Sequence, residues 1–200
     1  NPKSIIVYIQ PETAMLRKNL NPDIETMLED CPLELRPTFK SQDNVWVFPN
    51  GSKIMLAGTD GQNYDKLRGG KAHLCLIDEA GFCSDLKKII TSILLPLTLN
   101  TRGRVILSST TSTDPDHEFN NYMDSAEIKG DLIRKTILDA VEDHKKSAYP
   151  RITEEIVAEI IASYPKGVDD QGFRTEFLCE KVFNSTDSVL PELTQQRWCL

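Results

Sequence analysis

Leu74-Cys75-Leu76-Ile77-Asp78-Glu79 is an unbroken apolar run that ends in two adjacent carboxylates. A half-exposed strand alternates apolar with polar residues, so a short run without alternation predicts a strand covered on both faces, as in a parallel sheet. We read the strand over 72–77, running directly into Asp78-Glu79-Ala80, with a helix over 84–95 in which Ser84 or Asp85 lies near the N-cap. A second strand follows at Arg104 to Ser108, bounded by Gly103 and by the hydroxyl run Ser108 to Thr113. Upstream, Ser4 to Ile9 is a buried strand ending at Gln10-Pro11, followed by apolar residues at helical spacing over 13–29 with a break at Asn21-Pro22.

The rest of the chain continues the alternation. Val45-Trp46-Val47-Phe48 and Lys53 to Ala57 flank Pro49-Asn50-Gly51-Ser52, whose Asn-Gly pair predicts a tight hairpin turn. Residues 58–70 are polar and glycine-rich, which predicts an exposed, mobile loop. Beyond the hydroxyl run we expect a helix opening within 115–123, a strand over 131–138, a helix over 153–163 capped by Thr153, and a last helix over 169–180. Strands alternating with helices define an α/β class, a mostly parallel sheet flanked by helices with the β-hairpin as an insertion.

Composition narrows the function. With 200 residues, 40% of them hydrophobic, the chain fills a single domain. A net charge of -7 argues against wrapping nucleic acid along the whole surface, so any DNA contact is local. The basic residues Lys53, Lys66, Arg68 and Lys71 are most simply a solvated cluster. Five cysteines without a CxxC pair predict buried thiols in a reducing compartment rather than a zinc site or disulfides. No apolar stretch approaches the ~20 residues that span a membrane, and no secretory signal opens the chain.

An apolar strand ending in Asp78-Glu79 has the form of a Walker B strand. Successive side chains of a strand point oppositely, so the two acids can serve different partners. Asp78 would hold the Mg2+ of a bound nucleotide, through water, and Glu79 would orient or deprotonate the water that attacks the γ-phosphate. The next strand also ends in a polar run that includes Ser109, Thr110 and Thr111, a position that can sense a γ-phosphate; a turn that caps the next helix explains the same residues. Arg68 either delivers a guanidinium to a phosphate or is a solvated loop residue. His117 and His144 stand near no nucleophile or acid in a recognisable arrangement.

In order, the strand ending at Gln10-Pro11, the Pro49-Asn50-Gly51-Ser52 hairpin, Leu67-Arg68-Gly69, Leu76-Ile77-Asp78-Glu79-Ala80 and Ser108-Ser109-Thr110-Thr111 resemble the ATPase domain of the tailed-bacteriophage-type terminase large subunit. The stretch from Phe173 to Leu178, with 185–192, resembles the segment leading toward that family's nuclease domain. The resemblance implies a P-loop NTPase-like fold that uses ATP and Mg2+. Asp78 matches the magnesium-coordinating acid, Glu79 the catalytic glutamate, Thr110 and its neighbours Ser109 and Thr111 the coupling motif at the nucleotide, and Arg68 the trans-acting arginine finger. It further implies a motor that drives double-stranded DNA into a procapsid in the infected host's cytoplasm, as a homo-oligomeric ring with a portal protein and a small terminase subunit. Residues 1–183 would be a partial ATPase domain and 184–200 the start of a linker.

The family's G-x-x-x-x-G-K-[ST] phosphate cradle has no counterpart here; Gly69-Gly70-Lys71 lacks the upstream glycine and the hydroxyl residue. The chain is therefore expected to be a piece of a longer protein that alone binds nucleotide feebly and hydrolyses little. No acidic cluster follows Glu180, so no DNA cleavage is expected. Two other readings stand open: a DEAD-like helicase fragment, which Gly81-Phe82 after Asp-Glu-Ala disfavours, and a non-catalytic docking module that keeps the fold.

Overall fold

The computed structural model describes residues 3–147 and 151–182. The chain divides into two compact units, residues 1–109 and 110–200. The first is built on a sheet of β1 (Ile5–Gln10), β2 (Thr38–Lys40), β3 (Val45–Val47), β4 (Lys53–Gly58), β5 (Leu74–Asp78) and β6 (Arg104–Ser108), in the order β2-β3-β4-β1-β5-β6. From β4 to β6 the pairing is parallel, and β2, β3 and β4 pair antiparallel. The expected hairpin forms, but it widens the sheet instead of standing apart from it, because β4 also pairs with β1. At its turn Gly51 adopts φ +81°, and Asn50 Oδ1 accepts from Ser52 N at 2.9 Å.

Register fixes which side chains share a face. Ile9 stands opposite Ile77, and Ile77 opposite Leu107. Val7, Ile9, Cys75 and Ile77 alternate along β1 and β5 and are at most 1% exposed, as central strands require. The opposite face carries a cluster of Leu16, Trp46 and Leu56, joined by Tyr8, Leu20 and Ile24. Trp46 Nε1 donates to Asn21 Oδ1 at 3.1 Å, which satisfies the buried indole.

Both helical runs of this unit carry a proline without breaking. In the first, α1 (Thr13–Met15) passes through a π turn at Leu16–Leu20 into α2 (Asn21–Met27), so the break expected at Asn21-Pro22 becomes a widened turn. In the second, α3 (Leu86–Ile89) and α4 (Leu95–Leu99) are joined by a π turn at Ile90–Leu94, just before Pro96. A proline lacks an N–H and clashes with the carbonyl four residues back; shifting the preceding bonds to five-residue spacing, Asn21 N–H to Leu16 O and Leu95 N–H to Ile90 O, gives its ring room.

Residues 58–70 differ from the expected mobile loop. Asp60–Leu67 is a 3-10 helix that buries Tyr64 and Leu67, three residues apart and so on one side of a three-residue turn. Its start is anchored by Asp60 Oδ1, which accepts from Thr13 N at 2.9 Å and Thr13 Oγ1 at 2.7 Å. Burial opposes ionisation of Asp60, but the hydrogen bonds from Thr13 outweigh it and hold the carboxyl below its usual range.

Among its described residues the second unit contains helices only: α5 (Glu118–Lys129), α6 (Ile137–His144), α7 (Glu154–Ala162) and α8 (Gln171–Leu178), with a 3-10 turn at Gly167–Asp169. The strand expected over 131–138 does not form. Residues 131–136 are irregular and α6 begins at Ile137, because Thr136 and Asp139 close a capping box: Thr136 Oγ1 accepts from Asp139 N at 3.2 Å, and Asp139 Oδ2 accepts from Thr136 N at 2.8 Å. Thr153 caps α7 as expected, and Asp170 caps α8. Tyr164, Phe173 and Phe177 pack ring on ring, with centroids 5.4 to 6.2 Å apart. No helix among the described residues is long and apolar enough to cross a membrane. Residues 184–200, expected to begin a linker, lie outside the described residues.

Candidate active site

Parallel sheets present ligand sites at the carboxyl ends of their strands. Here that edge of the first unit brings together Gly58, Gln10, Asp78 and Ser108, the last residues of β4, β1, β5 and β6. Asp78 lies opposite Ser108 in the register. Its carboxylate is held from the neighbouring strand: Tyr8 Oη donates to Asp78 Oδ2 at 2.6 Å, and Gln10 Nε2 donates to the same oxygen at 3.1 Å. Burial, and next the Asp78 carboxylate, push the Tyr8 phenol well above its ordinary value, so it remains a donor.

Glu79 leaves the strand differently. Its backbone is left-handed, φ 53° and ψ 41°, a conformation costing a non-glycine residue about 1 kcal/mol or more. The bend carries the chain into a short 3-10 turn, Ala80–Phe82, with Ala80 and Gly81 buried. Ser109 Oγ accepts from Gly81 N at 3.0 Å, so the residue after β6 steadies the loop after β5. Beneath this loop Cys83 is fully buried and its thiol donates to Glu79 O at 3.6 Å. Burial pushes that thiol up to about 12, with further lifts from the charges of Asp78 and Glu79 against a lowering hydrogen bond from Thr59.

Thr110 and Thr111 open the second unit. Thr111 is buried and its hydroxyl donates to Glu180 O at 2.7 Å, while the buried Thr110 Oγ1 has no hydrogen-bond partner among the described residues. Arg68 ends the 3-10 helix Asp60–Leu67. Its Nε donates to Asp65 Oδ1 at 2.8 Å and its Nη1 to Ser92 O at 3.2 Å, and the side chain is about half exposed. Reading the sequence did not single out Tyr8 and Gln10; the signal available was a polar atom at two alternate positions of an otherwise apolar buried strand. His117, given no role, accepts from Phe119 N at 3.1 Å and caps α5.

The residues fit a hydrated divalent cation in kind: Asp78 offers oxygens, and its second oxygen, Oδ1, takes no hydrogen bond among the described residues. Solved structures share this fold. The large terminase of a thermophilic bacteriophage aligns with a TM-score of 0.66 at 14% identity, over 91% of this chain and 42% of that one. The large terminase ATPase domain of Thermus phage P74-26 aligns with a TM-score of 0.54 at 15% identity, over 91% of this chain and 78% of that domain. The HK97 bacteriophage large terminase gives 0.53 at 15%, over 89% and 40%. At such identities the likeness establishes the fold: a mostly parallel α/β sheet of the kind found in phage large-terminase ATPase domains.

Membership rests on sequence. The family described as terminase large subunit, T4likevirus-type, N-terminal, matches residues 2–182, and the chain belongs to it. It spans 42% of the length of the thermophilic bacteriophage's protein. No curated protein matches the sequence.

Proposed function

We propose that this chain is part of the ATP-hydrolysing motor of a terminase large subunit, which moves double-stranded DNA into a viral procapsid. The observation that carries the reading is the pair of acids at the tip of the central strand β5, Asp78 fastened by its neighbours and Glu79 on a left-handed bend of the backbone. Asp78 would hold Mg2+ through water; the cation would neutralise charge on the nucleotide phosphates. Glu79 would orient and accept a proton from the attacking water. The large terminase of the thermophilic bacteriophage has been solved with ADP and with ATP-gamma-S, which supports ATP as the nucleotide.

Ser109, Thr110 and Thr111 would couple the state of the nucleotide to the rest of the chain. What supports this is their position: Ser109 bonds the loop after Glu79, and Thr111 bonds the carbonyl of Glu180 in the second unit. Arg68 would act on a neighbouring subunit's nucleotide, since its own-chain partners are Asp65 and the Ser92 carbonyl. A ring of such subunits on a portal protein, with a small terminase subunit, in the host cytoplasm, completes the proposal. Because the phosphate-cradle pattern does not occur in these 200 residues, the chain alone should turn over little ATP.

The test is ATPase activity of the full-length gene product, with and without double-stranded DNA, beside Glu79→Gln. The amide keeps the side chain's shape and loses its basicity, so ATP affinity should stay within a few-fold while turnover drops by about a hundredfold or more. Turnover near wild type would remove Glu79 from the mechanism; no activity in either protein would favour a docking module.

A further inference from the structure

Tyr8 and Gln10 occupy alternate positions of β1 and so leave the strand on one face. The register that sets Ile9 opposite Ile77 brings Gln10 level with Asp78 one residue further on. Two donors then converge on one oxygen. Tyr8 Oη donates to Asp78 Oδ2 at 2.6 Å, a length typical of a charge-assisted O–H···O bond. The Gln10 amide spends its Nε2 on both partners, 3.1 Å from Asp78 Oδ2 and 3.3 Å from Tyr8 Oη. Its orientation is dictated by chemistry, since the reverse would set a carbonyl against a carboxylate. The consequence is a buried Gln10 Oε1 with no hydrogen-bond partner among the described residues, in a residue only 7% exposed. An unsatisfied buried acceptor is unfavourable, and a glutamine retained only for stability would avoid it.

We propose that Tyr8 and Gln10 are positioning residues for the cation-holding carboxylate: they lock Asp78 Oδ2 from the neighbouring strand and leave Oδ1 as the oxygen available to the water shell of a divalent cation. The proposal rests on the reading of Asp78 given above. Carboxylates at metal sites are held by such outer hydrogen bonds, and losing one weakens metal affinity by about 10- to 100-fold. Neither residue touches the reacting atoms, so their effect should be on cation affinity more than on turnover.

The experiment is a Mn2+ titration followed by electron paramagnetic resonance, in the presence of ADP, on the full-length protein and its Asp78→Asn, Tyr8→Phe and Gln10→Met variants, with the Mg2+ dependence of ATPase alongside. Tyr8→Phe and Gln10→Met should each weaken Mn2+ binding about tenfold and raise the half-saturating Mg2+ similarly, with kcat at saturating Mg2+ within about twofold. A lowered Tm with unchanged Mn2+ affinity would overturn the proposal, because it is what a packing role alone predicts. If Asp78→Asn weakens Mn2+ binding and the other two do not, positioning fails while the Asp78 reading stands; if Asp78→Asn also changes nothing, both fall. Should Gln10→Met not fold, Tyr8→Phe decides alone, since it removes one hydroxyl and keeps the ring that packs beside Leu16, Trp46 and Leu56.

Discussion

The two units of the chain are held by different kinds of interaction. In residues 3–109 the chemically interesting groups are placed by partners far away in sequence: Asp78 by Tyr8 and Gln10, Asp60 by Thr13, Gly81 by Ser109. In the described residues from 110 onward most of the side-chain bonds are local caps and short-range pairs, such as Thr136 with Asp139, Asp170 with Gly172 and Arg174 with Glu180. A parallel sheet forces distant residues into register, so it can hold a carboxylate from a neighbouring strand to within tenths of an ångström. A cap closes its own helix and carries little information about anything else.

That contrast can be broken most sharply in the sheet. Ile77→Ala removes a fully buried side chain flanked by two paired strands and should cost about 3–5 kcal/mol, measured by denaturant unfolding of the full-length protein. A loss below about 1 kcal/mol would mean that the core collapses around the gap and that register is not rigid.

The alkaline limb of stability probes the same region. Burial pushes Cys75 from its ordinary 9.0 up to about 11 and Cys83 to about 12, so both are neutral in the folded state. Above pH 9 the unfolded chain loses these protons first. Their contribution is therefore complete below pH 9 and declines as pH rises through 11 to 12. Unfolding midpoints should fall over that window, and should fall less in a Cys75→Ala/Cys83→Ala double variant; an identical decline in both would assign the effect elsewhere. The smallest effect belongs to the helical unit. Thr136→Ala removes the hydroxyl side of one capping box and should cost about 1 kcal/mol without altering ATPase activity. Loss of activity would show that α6 does more than cap itself.

Legibility followed the same divide. The strand ending in Asp78-Glu79, the Asn-Gly hairpin and the Thr153 cap were all readable, because each depends on residues adjacent in sequence. The 3-10 helix at 60–67 was missed: its only apolar anchors, Tyr64 and Leu67, are too few to register as a pattern among glycines and polar residues. The strand expected over 131–138 gives way to the Thr136–Asp139 capping box, which starts α6 at Ile137. The packing of Tyr164 against Phe173 and Phe177 was not foreseen either, since Tyr164 lies in a bend outside α8 and its contact with that helix leaves no local signature.

The sequence by itself determined the α/β class, the paired acids and their place at the end of a buried strand, because apolar runs and adjacent carboxylates are local properties. Only the tertiary structure decided which residues hold Asp78, that Glu79 sits on a left-handed bend, and that Arg68 is occupied by Asp65 and the Ser92 carbonyl. The hold on Asp78 depends on strand register and the Arg68–Ser92 contact on loop closure across tens of residues, and nothing in the neighbouring residues encodes the distance between Tyr8 and Asp78 until the sheet has formed.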